Sequence, residues 1–218
     1  MFGLAPAQWV GCAFPLQRWR RPTIATAAAL RDFARQHAAF IAQKCAIDYC
    51  RTKAGLFSYQ LFKEQDFMAA LTRCRWEGYG AVLADILIVL EAFLRPSAGS
   101  DAAAIADRLA AWYPEILALD PPPAHRPQGW ADAIARFDAR MGAARAAPPR
   151  GPAAIAEVSG RLLYEALPIH TSYRRFDQEM VVASVCFRMV SMWQEMERRV
   201  DRAAVCADLA GRPAAGGV

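Results

Sequence analysis

Apolar residues recur at three- and four-residue spacing through most of this chain, the period of α-helices that pack on one face. Three segments carry the period furthest, about 24–53, 61–94 and 173–206. Shorter stretches with the same period lie at about 101–119, 129–146 and 153–166. Proline and glycine punctuate them. Pro22-Thr23 opens the first helix, with Thr23 or Thr26 as N-cap, and Gly55 stops it. Arg95-Pro96 and the loop Ser97–Ser100 end the second, because the residue before proline disfavours the helical region. The third helix passes Pro114 with a kink. Pro-rich 120–127 and Pro148–Pro152 then separate the short helices, and Thr171 or Ser172 caps a last helix that runs to Leu209. Nothing repeats at a fixed period.

These elements predict an all-α fold: a single bundle of about six helices, with three long core helices and a cap of three shorter ones. The expected organisation is a leader or arm over 1–22, a bundle domain over 23–210 and a loose tail over 211–218. The second helix is apolar on more than one side between Tyr79 and Leu94, which assigns it to the centre.

Charge interrupts the apolar stripes of all three long helices. The first carries His37, Lys44, Asp48 and Arg51 beside Phe33 and Ile41. The second carries Glu64 and Arg75 in line with Met68, Leu71 and Val82. On the last, Asp177 and Arg188 border Phe176, Met180, Ser184, Phe187, Ser191 and Glu195. Charge inside a bundle must be paired, hydrated or functional. If the stripes converge, His37, Lys44, Asp48, Arg51, Glu64, Arg75, Asp177, Ser184 and Arg188 form either a register-fixing salt-bridge network or a polar pocket. Such a pocket would take a small anionic ligand, with Lys44, Arg51 and Arg75 as donors. Asp48 and Asp177 have no accompanying nucleophile.

The last helix has a second apolar face: Val182, Val185, Met189, Trp193, Met196 and Val200. Its spacing is coiled-coil-like, so it serves either the chain's own cap or the interface of a homodimer or protein partner.

Composition narrows the chemistry. A hydrophobic fraction of 55% suffices for a sizeable core. A net charge of +5, spread along the helices apart from Arg18, Arg20 and Arg21, is too dilute for a nucleic-acid stripe. The window Gly78–Leu94 is interrupted by Asp85 and Glu91 and falls short of the roughly 20 residues a membrane span needs. In the leader the apolar part precedes the arginines, the reverse of a secretory signal. It reads as a disordered leader, a packed arm, or a membrane-surface anchor built on Trp9, Phe14, Trp19 and the arginines Arg18, Arg20 and Arg21.

The six cysteines, Cys12, Cys45, Cys50, Cys74, Cys186 and Cys206, include no CxxC. On a helix Cys45 and Cys50 point about 140° apart and cannot share a metal. They read as small packing residues in a reducing cytoplasm. His37, His125 and His170 are far apart, no ExxH or HExxH occurs, and no cofactor or metal is expected. His170, just before the last helix, suits a capping role; His37 suits the rim of a core.

Several motifs resemble those of a group of uncharacterised, all-helical proteobacterial proteins. They are Gln43-Lys44-Cys45, Tyr49-Cys50-Arg51 with Gly55, then Phe67 and Arg73-Cys74-Arg75-Trp76, and finally Pro168-Ile169-His170 with Asp177, Glu179, Ser184 and Phe187-Arg188. The resemblance covers the first two helices and the last, and it implies a bacterial, all-helical, intracellular protein without implying any activity. The expectation is a non-enzymatic helical interaction protein (an assembly factor or adaptor), dimeric through the last helix. The alternatives are a small-molecule-binding module or enzyme with a pocket between helices one, two and six, and a peripheral membrane protein held by residues 1–22.

Overall fold

A computed structural model describes residues 22–211, so the leader (apart from Pro22) and most of the tail lie outside the described residues. Those described form an all-α bundle. In chain order the helices are α1 Ala27–Ala54, the single turn α2 Ser58–Leu61, α3 Gln65–Ala98, α4 Ala102–Leu117, α5 Ala131–Ala146, α6 Pro152–Ala166, the single turn α7 Thr171–Arg174, α8 Gln178–Arg199 and α9 Arg202–Leu209.

The caps follow local chemistry. Thr26 Oγ1 accepts from the Ala29 N–H at 3.2 Å and starts α1. Gly55 (φ 54°) and Gly99 (φ 53°) end α1 and α3 in a backbone conformation that side chains resist. The His170 imidazole accepts from the Ser172 N–H at the start of α7, as its position in sequence suggests.

Several boundaries differ from expectation. The last long helix does not start at a Thr171 or Ser172 cap; residues 171–174 form the separate turn α7, and α8 starts at Gln178 after Asp177. The second long helix does not stop at Arg95; Pro96 lies inside α3, close enough to its end that only the final turn is affected, and Gly99 supplies the break. The last helix is not continuous. Val200 is extended and pairs with Ile24 in an isolated parallel bridge. The Ile24 N–H donates to the Arg199 carbonyl at 2.8 Å, and the Asp201 N–H donates to the Ile24 carbonyl at 3.0 Å. Asp201 then caps α9 through the Ala204 N–H. A contact between the two ends of the chain therefore breaks a periodicity that sequence alone reads as unbroken.

α3 occupies the centre. Every residue from Val82 to Leu94 is buried, and α1, α4, α5, α6 and α9 surround it. The fifth predicted helix, expected in the cap, is a core element: α6 lies against both α3 and α8, whereas α3 and α8 touch at Phe93 and Trp193, rings edge to face at 5.1 Å. Small residues make this close packing attainable. A Cβ on Gly160 of α6 would stand 2.9 Å from Val182 Cα, and one on Gly78 of α3 would stand 2.6 Å from Leu163 Cδ1. Ala156, one turn before Gly160, is also fully buried.

The two glycines differ in what they would strike. Gly160 faces backbone, which cannot yield, whereas Gly78 faces the end of a flexible leucine. Alanine in a helix gains about 1 kcal/mol over glycine. Overpacking costs about 1–3 kcal/mol. We expect Gly160→Ala to lower stability in urea denaturation and Gly78→Ala to be less harmful. A Gly160→Ala protein as stable as wild type would contradict the close α6–α8 approach.

Candidate functional site

α1 and α8 run antiparallel, and their shared seam collects much of the charge that interrupts the apolar stripes. The Asp48 carboxylate accepts from Lys44 Nζ at 2.7 Å and from Arg188 Nη2 at 3.2 Å. Cys45 Sγ lies 3.5 Å from Ser184 Oγ. Asp177 accepts from the Tyr49 hydroxyl at 2.8 Å and from Lys53 Nζ at 2.6 Å, which hold its carboxyl below the ordinary aspartate value. At the other end His37 Nε2 stands 3.4 Å from a Glu195 oxygen, and Glu195 also pairs with Arg199.

His37, Lys44, Asp48, Asp177, Ser184 and Arg188 thus share one seam. The remaining predicted site residues do not join it. Arg75 lies on α3 and donates to Gln43 Oε1 at 2.6 Å. Arg51 is exposed, with its guanidinium 5.6 Å from the Phe62 ring centre. Glu64 is an exposed residue at the N-cap of α3. The expected convergence of helices one, two and six into one pocket is therefore not realised, because α6 occupies the space beside α3 that α8 would need. The seam is a ladder of partnered charges that sets the α1–α8 register. Lys44 and Asp48 are 45% and 36% exposed, so their pair contributes little to stability.

The predicted partner-binding face of α8 is also corrected. Val185, Met189 and Met196 are fully buried in the chain's own core, Val182 packs on Gly160, Trp193 on Phe93, and Val200 pairs with Ile24. The opposite stripe, expected inside, faces out: Phe176, Met180 and Phe187 are exposed. Periodicity places two apolar faces on this helix without ranking them. A signal was present, since Ser184, Arg188, Ser191 and Glu195 interrupt the exposed stripe and no polar residue interrupts the buried one.

The exposed stripe leads to an aromatic end of the bundle. Lys53 and Tyr49, in the last turns of α1, bind Asp177 at the start of α8 and tie these two helix ends together, each with an exposed turn beside it. The first turn carries Leu56 (99% exposed), Phe57 (71%) and Tyr59 (72%). The second carries Tyr173 (72%) and Phe176 (81%). Buried Arg174 fixes the second turn by donating to the Tyr164 and Glu165 carbonyls at the end of α6, while the Tyr164 hydroxyl donates to the Arg174 carbonyl at 2.8 Å. Cations sit over the exposed rings: Lys63 is 3.7 Å from the Tyr59 centroid and Arg175 4.5 Å from that of Phe176.

A second set of charges escaped sequence reasoning. Asp85 and Glu91 lie in the all-buried stretch of α3. The fully buried Asp85 carboxylate accepts from Arg140 of α5 and, at 2.9 Å, from the Ser159 N–H of α6. Burial pushes its carboxyl above the usual range against the pull of these two partners. Glu91 takes both bonds of a bidentate Arg95, at 2.8 and 2.7 Å; Arg95 also donates to the Ala144 and Ala147 carbonyls at the end of α5. Two acids inside a run otherwise apolar on every side were the available signal.

Burial also sets the thiols: Cys50 and Cys74 are pushed up to about 12, which makes them poor nucleophiles at neutral pH. Among the described residues no group of three or more His, Cys, Asp or Glu is placed to hold a metal ion, and no helix is long and apolar enough to cross a membrane. Comparison with protein-family models, curated proteins and solved structures finds no match for this chain.

Arg140→Met would strand the Asp85 carboxylate. Stranding a buried charge costs about 3–5 kcal/mol. The figure here should fall toward the lower end, since Arg140 is 28% exposed. Adding Asp85→Asn should recover part of the loss, and denaturant midpoints of the two single variants and the double give the coupling.

His37 gives a test with pH. Burial lowers its pKa below 6.5, and this outweighs the Phe33 carbonyl and Glu195, which favour the charged form; Arg199 adds to the lowering. A depressed histidine binds its proton more readily when unfolded. The stability it confers is therefore present above about 6.5 and lost as pH falls through the folded value. The melting temperature of wild type should drop more steeply on acidification below neutrality than that of His37→Gln. Parallel curves would show that His37 is not held neutral.

Proposed function

We propose that this protein is a non-enzymatic interaction protein, an assembly factor or adaptor, that pairs with a second copy of itself through the aromatic end. The observation that carries this is the set of Leu56, Phe57, Tyr59, Tyr173 and Phe176, all at least 71% exposed, in the turns that follow α1 and precede α8, two helix ends tied together by the Lys53–Asp177 pair. At about 200 Å² per large side chain, they present on the order of 700 Å². That exceeds the apolar patch a monomer usually leaves bare. It also approaches the roughly 800 Å² per partner of a standard interface.

Charge supports a self-complementary pairing. Exposed Arg51, Lys63 and Arg175 lie in or beside the same turns as exposed Glu64, Asp66 and Glu179. A two-fold arrangement can set each sign against its opposite while the rings pack at the centre. The Arg174 anchor reduces the ordering cost of association, because the turn is already fixed. A bacterial cytoplasm is the setting we infer, on the sequence resemblance and on Cys45, Cys50, Cys74, Cys186 and Cys206 standing as free thiols.

Light scattering on the full chain during size exclusion should give twice the 24.0 kDa chain mass. Phe57→Asp with Phe176→Asp should return the monomer mass with helical content unchanged, since both rings are exposed in the single chain. A wild type that stays monomeric up to its solubility limit would overturn the self-pairing.

A further inference from the structure

Between α3, α5 and α6 the surface opens into a cleft of about 250 Å³. Its floor is apolar, formed by buried Ile88, Ala92 and Ile155, with Val158 on the rim. Its charged lining is three guanidinium groups, Arg95, Arg140 and Arg150, against one carboxylate, Glu91. Glu91 is engaged with Arg95 through both oxygens, and Arg95 directs further donors to the α5 carbonyls. Asp85, the partner of Arg140, is fully buried and does not line the cleft. Arg140 is 28% exposed, and Arg150 is exposed, with a long 3.3 Å bond to the Ala154 carbonyl. The cleft thus presents one guanidinium group without a carboxylate partner, Arg150, beside Arg140, whose charge Asp85 answers from the core while its exposed part remains a donor to the cleft. α6 begins beside it at Pro152, and its N-cap Gly151 brings no side-chain acceptor, so the positive helix end adds to the field.

We propose that this cleft binds a small amphipathic organic anion. A carboxylate or phosphate group would sit on Arg140 and Arg150, and a short hydrocarbon body would lie on Ile88, Ile155 and Val158. Guanidinium forks match both anions. The volume lies below the usual range for drug-sized ligands, so the body must be short. The site lies on α3, α5 and α6 and is independent of the aromatic end.

Calorimetry on the full chain with octanoate, octyl phosphate, octanamide and inorganic phosphate tests the assignment. At least one of the two alkyl anions should bind and raise the melting temperature. Octanamide and inorganic phosphate should each bind more weakly, by roughly tenfold or more, because a hydrogen bond to a charged group is worth about that factor or better. Arg150→Gln should weaken the anion by a similar factor, and Val158→Trp should block it. Both side chains are exposed, and circular dichroism verifies that the variants keep the fold. Phe57→Asp with Phe176→Asp should leave octanoate binding unchanged, which separates this site from the aromatic end. Absence of binding by both alkyl anions, equal binding of octanamide, equal binding of inorganic phosphate, or an Arg150→Gln variant indistinguishable from wild type would each overturn the proposal.

Discussion

Asp85 sits where water does not reach, on a helix buried along its length from Val82 to Leu94. A charge there is tolerated only with its compensating groups in place. Arg140 from α5 and the Ser159 N–H from α6 supply them, so one carboxylate ties three helices together. One and a half turns later Glu91 holds Arg95, which satisfies the carbonyls at the end of α5. The central helix thus dictates where the short helices lie. The cleft between α3, α5 and α6 is a by-product of the same pairs, since the arginines that answer the buried acids are among those that line it.

The second constraint is steric. α6 lies between its neighbours because Gly160 lets the α8 backbone come within a distance that no side chain permits, and Gly78 accepts Leu163 in the same way. With α6 against both α3 and α8, the apolar face of α8 that carries Val185, Met189 and Met196 is used inside the molecule. Its other apolar stripe is left for solvent or a partner. The aromatic end follows from this allocation: the Met180–Phe187 stripe continues into Phe176 and Tyr173, and the Asp177 pairs tie that end of α8 to the end of α1, which Leu56, Phe57 and Tyr59 follow.

The two functional surfaces therefore differ in kind. The aromatic end is large, apolar and mixed in charge, which suits another protein surface. The cleft is small, positively biased and apolar at its floor, which suits a single small anion. The α1–α8 seam is a register device, its carboxylates held by Lys44, Arg188, Lys53, Tyr49 and Arg199.

The all-α class, the central place of α3 and an N-cap at Thr23 or Thr26 (the structure uses Thr26) were legible in the chain, as was a capping role for His170, which serves the turn α7 rather than the long helix, because helical period and capping chemistry are local. Pairing along the seam was partly legible, since charges at helical spacing within an apolar stripe demand partners. Which apolar face of α8 turns inward was not read from period, because both stripes share it; the distinguishing mark was the set of polar residues, Ser184, Arg188, Ser191 and Glu195, on the stripe that faces out. The break at Val200 was hidden because its cause is Ile24, at the far end of the chain. The demand that Asp85 and Glu91 be answered was written in the sequence; that Arg140 and Arg95 answer them, and leave a cleft beside Arg150, was decided only when α5 and α6 closed on the central helix.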